Sequence, residues 1–289
     1  MLPGFTENMT HRFYRAFVRF LSLSFVFISF SASIPAQQTS AGFSTEEQIK
    51  ADLQSVPCRN EDRLNAVRSL FEKLGASPSE ISIDNFKNVE NLIITKPGAS
   101  SRKIIIGAHY DKVSAGCGAI DNWTGIVAIA HIYRTLKPVS LNKTLLFVAF
   151  GKEEGGLIGS GAMAGKINKE QVGEYCAMVN IDSLGLGAPQ VADNMSSKKL
   201  LDAAASLAKN MNMPFGHAVI AGGDSDSSSF IKRQIPALTI HGLTNEWPVI
   251  LHSHKDQPSK INSTSVYLGY GLALALVYSI DKASCEAYR

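Results

Sequence analysis

Three stretches decide the fold: Lys103-Ile-Ile-Ile-Gly-Ala-His109-Tyr-Asp111, Thr144-Leu-Leu-Phe-Val-Ala-Phe150-Gly-Lys-Glu153-Glu154 and Cys176-Ala-Met-Val-Asn-Ile-Asp182. Each opens with a short, almost unbroken apolar run, the pattern of a strand buried on both faces. Each run then delivers acids or a histidine. In open α/β sheets, ligands bind beyond the carboxyl ends of the strands. If these strands are parallel, His109, Asp111, Glu153, Glu154 and Asp182 gather along one edge of the sheet.

The intervening segments read mainly as helices. Residues 61–74 place Leu64, Val67, Leu70, Phe71 and Leu74 on one stripe, and Gly75 stops the helix. Further helices are predicted at 123–136, 197–211 and 263–281, and further strands at 80–86, 88–95 and 236–241. Apolar strands alternating with helices predict an α/β three-layer sandwich, its mixed, mostly parallel central sheet flanked by helices. The early pair of adjacent strands supplies the antiparallel part. No internal repeat or linker divides the chain.

The 289 residues are 45% hydrophobic and carry a net charge of +3. That is enough apolar material for a sizeable core without disulfides. No Lys/Arg block follows the N-terminal region, so no nucleic-acid partner is expected. The N-terminus differs from the rest. His11, Arg12, Arg15 and Arg19 precede the apolar run from Leu21 to Phe30, and Ser31-Ala-Ser-Ile-Pro-Ala36 follows. This is the layout of a secretory signal peptide, and the run is about half of the ~20 residues a membrane span needs. The expectation is a signal peptide at 1–36, a single domain at 37–289 and a secreted or periplasmic monomer. No stable membrane insertion is expected after cleavage, and no later stretch is read as long and apolar enough to span a bilayer. Four cysteines, Cys58, Cys117, Cys176 and Cys285, permit two disulfides in three connectivities. Cys58–Cys117 is the favoured pair, Cys176 lies in a predicted buried strand, where a free thiol is common, and the pairing of the four stays open.

Two more residue groups complete a candidate site. A Gly-rich loop at 114–119 leads to Asp121, just before a helix, and His252 follows the strand at 236–241, with His254 close by. Singly these have ordinary readings: Asp121-Asn122 as a helix N-cap, Asp182 as turn chemistry, Glu153-Glu154 as a solvated turn. Together, acids crowded at the ends of buried strands would repel one another, and a bound cation relieves that. Imidazole and carboxylate suit Zn²⁺, and two metals about 3.5–4 Å apart need one bridging carboxylate. The inventory supplies Asp121 as bridge, His109 and Asp182 on one metal, Glu154 and His252 on the other. Glu153 is left free to take a proton from water.

The order His109-x-Asp111, Gly118-Ala-Ile-Asp-Asn-Trp-Thr-Gly125, Glu153-Glu-Gly-Gly-Leu-Ile-Gly-Ser160, Asn180-Ile-Asp182 and His252-Ser-His-Lys-Asp256 resembles the bacterial leucyl aminopeptidase and aminopeptidase Y family of co-catalytic zinc peptidases. The resemblance spans roughly residues 60–280. It implies a mixed sheet of about eight strands and two Zn²⁺ per chain held by His109, Asp121, Glu154, Asp182 and His252. It further implies catalytic roles for Glu153, as general base, and Asp111, which orients His109. The implied activity is exopeptidase hydrolysis of the N-terminal bond of peptides with a free N-terminus. The family pattern favours His252 over His254. It leaves His131, His217 and His241 as structural residues and admits Asp226, more readily than Asp224, to the pocket wall. Trp123, where small residues are usual, is expected to narrow the site.

Glutaminyl cyclases share the fold and use one zinc. They carry Asp-Ser in place of Asp121-Asn122 and an insertion that the uninterrupted segment Glu153–Ser160 lacks. A non-catalytic binding protein would be expected to lose the base or a ligand, and Gly159-Ser160-Gly161 lacks the spacing of a serine-hydrolase nucleophile elbow.

Overall fold

Residues 42–289 are described by a computed structural model; the expected signal peptide at 1–36 lies outside them. The strands are β1 (Ile81–Phe86), β2 (Val89–Lys96), β3 (Ser100–His109), β4 (Lys143–Phe150), β5 (Tyr175–Ile181), β6 (Gln190–Ala192), β7 (Gly216–Ala218) and β8 (Ala237–His241). They form one eight-stranded sheet in the order β1-β2-β4-β3-β5-β8-β6-β7. The central strands β4-β3-β5-β8 run parallel. The β1–β2, β2–β4 and β8–β6 pairs are antiparallel, and β6–β7 is parallel. The sheet is therefore mixed and mostly parallel at its centre, as the sequence predicts.

The helices are α1 (Glu46–Leu53), α2 (Asn60–Lys73), α3 (Thr124–Leu136), α4 (Ile158–Lys166), α5 (Lys198–Asn210), α6 (Ser227–Ile231), α7 (Trp247–Ile250) and α8 (Ser263–Lys282). The apolar run of β3 shows how they are shared out, because successive side chains on a strand face opposite ways. Ile104 and Ile106 join the core with residues of α2, α3, α5 and α8. Ile105 joins Met163 of α4 and Phe230 of α6 on the other face. Continuous hydrophobicity in β3 thus reflects two cores, one on each side.

One sequence expectation is corrected here, and the open cysteine pairing is resolved. α8 is long and apolar enough to cross a membrane, with a mean hydropathy of 1.3, yet its most apolar window is 78% buried inside the fold. It packs against α3, α5 and the sheet, and a helix surrounded by core is apolar all round. Cys176 is no free thiol: it is bonded to Cys285, while Cys58 is bonded to Cys117 as favoured. Cys176 sits at the start of β5, where the turn after α8 packs. Burial of a strand position does not exclude a partner arriving from the far end of the chain.

Candidate metal centre and active site

The parallel register sets the site. β3 lies between β4 and β5, with His109 paired to Phe150 and Gly107 to Asn180. The chain beyond each strand end therefore emerges side by side: His109 and Asp111 from β3, Glu153 and Glu154 from β4, Asp182 from β5. Asp121 arrives on a loop held by three devices. The Cys58–Cys117 disulfide anchors it. The buried Arg63 of α2 donates to the carbonyls of Pro57, Tyr110, Cys117 and Gly118. Asp256 accepts from the backbone N–H groups of Ile120 at 2.6 Å and Asp121 at 3.2 Å.

The result is a pair of side-chain groups that share one carboxylate. His109 Nε2 lies 3.1 Å from Asp121 Oδ1 and 3.5 Å from Asp182 Oδ1. His252 Nε2 lies 3.1 Å from Asp121 Oδ2 and 3.1 Å from Glu154 Oε2. His109, Asp121 and Asp182 offer ligand atoms within 4.8 Å of one another, as do Asp121, Glu154 and His252. Each triad has one imidazole and two carboxylates, a donor set suited to zinc. The unshared Glu154 Oε1 is buried without a hydrogen-bond partner, and a cation would satisfy such an atom. The residues present therefore fit two divalent cations bridged by Asp121. Glu153 stands beside the shared point, its Oε2 4.0 Å from His109 Nε2. His254 is exposed and belongs to neither triad.

Asp111 does more than its expected role. The nearer contact of His109 Nδ1 is the Asp111 backbone carbonyl at 3.1 Å, with the carboxylate 3.7 Å away. The carboxylate instead accepts the backbone N–H groups of Glu153 at 2.9 Å and Glu154 at 3.2 Å. One residue thus fixes both a histidine and the turn that carries the paired acids. Asn122 completes the frame. It donates to Ile181 O at 2.9 Å, and its Oδ1 accepts from Gly125 N and Ser183 N. A Cβ at Gly125 would lie 2.4 Å from Asn122 Oδ1 and 2.5 Å from Ile181 O, so glycine is required for α3 to start this close to β5. The Asp121–Asn122 peptide bond is cis.

Without bound cations the charges lean on one another. Burial works against a charged His109, yet Glu153 and contacts with Asp111, Asp121 and Asp182 push it well above its ordinary value. Hydrogen bonds to Asp121 and Glu154 push His252 up to about 10. Burial pushes Glu153 up to about 10, against the pull of His109. Burial also acts to raise Asp121, but the two histidines hold it well below the usual carboxylate range. Arg63, drawn down by burial to about 10 with Asp111 and Asp121 opposing, stays charged behind the cluster. Protons therefore occupy the histidines where cations would bind, and binding must release them.

Several sequence readings change. Trp123 does not narrow the site; it is buried, donates from Nε1 to Asp52 O and lies under Arg63. Asp226 neither caps α6 nor lines the pocket. It is fully buried, both oxygens lack partners, and burial pushes it up to about 7. Asp224 lines the cleft instead. His241 is not merely structural: it lines the same cleft, accepts the Leu243 N–H on Nδ1 and so carries its proton on Nε2. His131 is structural, as expected. It sits between Ser44 and Asp52, and all three are buried, so this Ser–His–Asp arrangement offers no face to a substrate. His217 pairs with Asp193 at the surface.

Residues 91–275 match the profile of peptidase family M28, and the chain belongs to that family. Leucine aminopeptidase 2 of Trichophyton rubrum is 30% identical over 185 residues, covering 57% of this chain and 36% of that protein. The chain thus spans little more than a third of that relative. Among solved structures, an aminopeptidase from Aneurinibacillus sp. strain AM-1 is 25% identical with a TM-score of 0.59, over 66% of this chain and 47% of that one. A glutaminyl cyclase from an Acidobacteriales bacterium shares the fold at 19% identity and a TM-score of 0.66, over 89% of this chain and 99% of that one.

Proposed function

We propose that this protein is an exported, monomeric two-zinc aminopeptidase that removes the N-terminal residue of peptides with a free N-terminus. The observation that carries the reading is the pair of triads sharing Asp121, with Glu153 beside them. When bound, two cations would supply Lewis acidity for the scissile carbonyl and for water, and their charge would favour the ionised form of Glu153, which it needs to act as a base near neutral pH. Asp121 would bridge them, with His109 and Asp182 on one side and Glu154 and His252 on the other.

The chain's own groups do the rest. Glu153 takes a proton from the attacking water, holds it on its carboxylate and passes it to the leaving amine. Asp111 keeps that carboxylate in place by gripping the Glu153 and Glu154 amides. Asp256 keeps Asp121 in place through its backbone. The acidic cleft favours a protonated or neutral α-amine over an anionic C-terminus, which orients a peptide N-terminus first. The two disulfides suit an oxidising compartment, which supports export.

The test is a panel of aminoacyl amides and an N-terminal Gln peptide, run with and without a zinc chelator. Amide hydrolysis that the chelator abolishes is expected. In Glu153→Gln, kcat should fall by about 10²–10⁴ while metal content persists. Chelator-insensitive hydrolysis sinks the reading. Conversion of the Gln peptide to a cyclised product without amide hydrolysis makes the glutaminyl cyclase alternative correct.

A further inference from the structure

The triads open into a cavity of about 270 Å³, and its composition away from the metal-type residues is lopsided. Met195, Ile220, Leu243, Trp247 and Leu251 give it apolar and aromatic walls, and the acidic side chain added to them is Asp224. Lys232, whose Nζ lies 3.9 Å from Asp224 Oδ2, is a nearby cation, and it is 72% exposed. His241 adds no charge at neutral pH, because burial pulls it down to about 4.

Asp224 is held in position. Its Oδ1 accepts the N–H of Ser225 at 2.9 Å, and Ser225 Oγ donates to Asp182 Oδ2 at 2.6 Å. The preceding loop is pinned by Asn194, which accepts from Ile220 N at 2.9 Å and donates to the carbonyls of Ile220 and Gly223. Asp224 is thus one Cα step, about 3.8 Å, from a residue that touches the metal-type cluster. A substrate's first residue must put its amine and carbonyl at that cluster, which leaves its side chain facing the apolar walls. A long aliphatic stem can lie along Met195, Ile220 and Leu243 while a terminal cation meets the Trp247 ring and the Asp224 carboxylate.

Resting on the aminopeptidase reading, we infer that Asp224 and Trp247 make this cavity select N-terminal Lys and Arg alongside apolar residues, and exclude Asp and Glu. Asp224 is half-exposed, so its share of the selectivity is modest.

The experiment measures kcat/KM for lysyl, arginyl, leucyl and glutamyl para-nitroanilides with the zinc-loaded full chain. Asp224→Asn should lower the Lys/Leu ratio by about three- to ten-fold. Lys232→Gln should raise it, because the competing cation is gone. Raising the salt concentration should lower the wild-type ratio. Inhibition by free lysine relative to free leucine should move in the same directions, which a general loss of folding would not produce. An unchanged ratio in both variants, or equal losses on lysyl and leucyl substrates in Asp224→Asn, overturns the assignment while leaving the aminopeptidase reading intact. A wild-type enzyme that hydrolyses none of the four overturns both.

Discussion

The two halves of the candidate metal centre are built differently. The half with His109 and Asp182 is mounted at the ends of β3 and β5, and the His109 side chain is 1% exposed. The other half joins Glu154, on the turn just beyond β4, to His252 on a loop, and the His252 side chain is 57% exposed. His252 adopts a φ of +56°, a left-handed conformation that costs a non-glycine residue energy and persists only where its surroundings enforce it. Those surroundings include Gly116, itself at φ +66°, where a Cβ would lie 2.4 Å from Ser253 O. The sheet therefore fixes one half directly. The other depends on loop-to-loop packing anchored by Arg63, Asp256 and a disulfide. Asp121 belongs to both.

The sharpest way to break this contrast is to remove each histidine from the metal-free protein and measure stability by urea unfolding. His109→Ala leaves buried acids without their charged partner and should cost about 3–5 kcal/mol. His252→Ala, at a half-exposed site, should cost under about 1 kcal/mol. Equal losses would mean that strand mounting and loop mounting are equivalent.

A smaller effect should appear with pH. In the metal-free protein His252 is raised to about 10, so its contribution is fully present below its ordinary value near 6.5. That contribution is lost as the pH climbs through about 10. His109 is shifted in the same direction. The Tm of the metal-free chain should therefore fall between pH 7 and 10, and fall less in His252→Ala. Metal binding displaces the same protons, so affinity should rise with pH over this window. A Tm that rises with pH in the metal-free chain would contradict the charge arrangement.

The residues that lie just beyond strand ends, in either half, were the more legible in sequence, for a physical reason. A strand buried on both faces announces itself as an unbroken apolar run, and the residue that ends it has a predictable place. His109, Glu153, Glu154 and Asp182 could be read in this way. His252 sits in a loop, where sequence left His254 as a rival, and its choice rested on resemblance. β6 and β7, three residues each, are too short to show alternation. The guanidinium of Arg63 binds carbonyls 47 to 55 residues away as well as that of nearby Pro57, and nothing local marks it. Asp224 and Asp226 differ in role because α6 begins between cleft and core, which turns one outwards and the other inwards. The second disulfide joins residues 109 apart, beyond what spacing can specify.

The central claim is that Asp121 joins two metal positions into one site. Metal content by elemental analysis, on the wild-type chain and on Asp121→Ala, His109→Ala and His252→Ala, tests it most directly. The account predicts two zinc ions per wild-type chain, one in each histidine variant and none firmly held without Asp121. One zinc in the wild type, or two retained by Asp121→Ala, would contradict it.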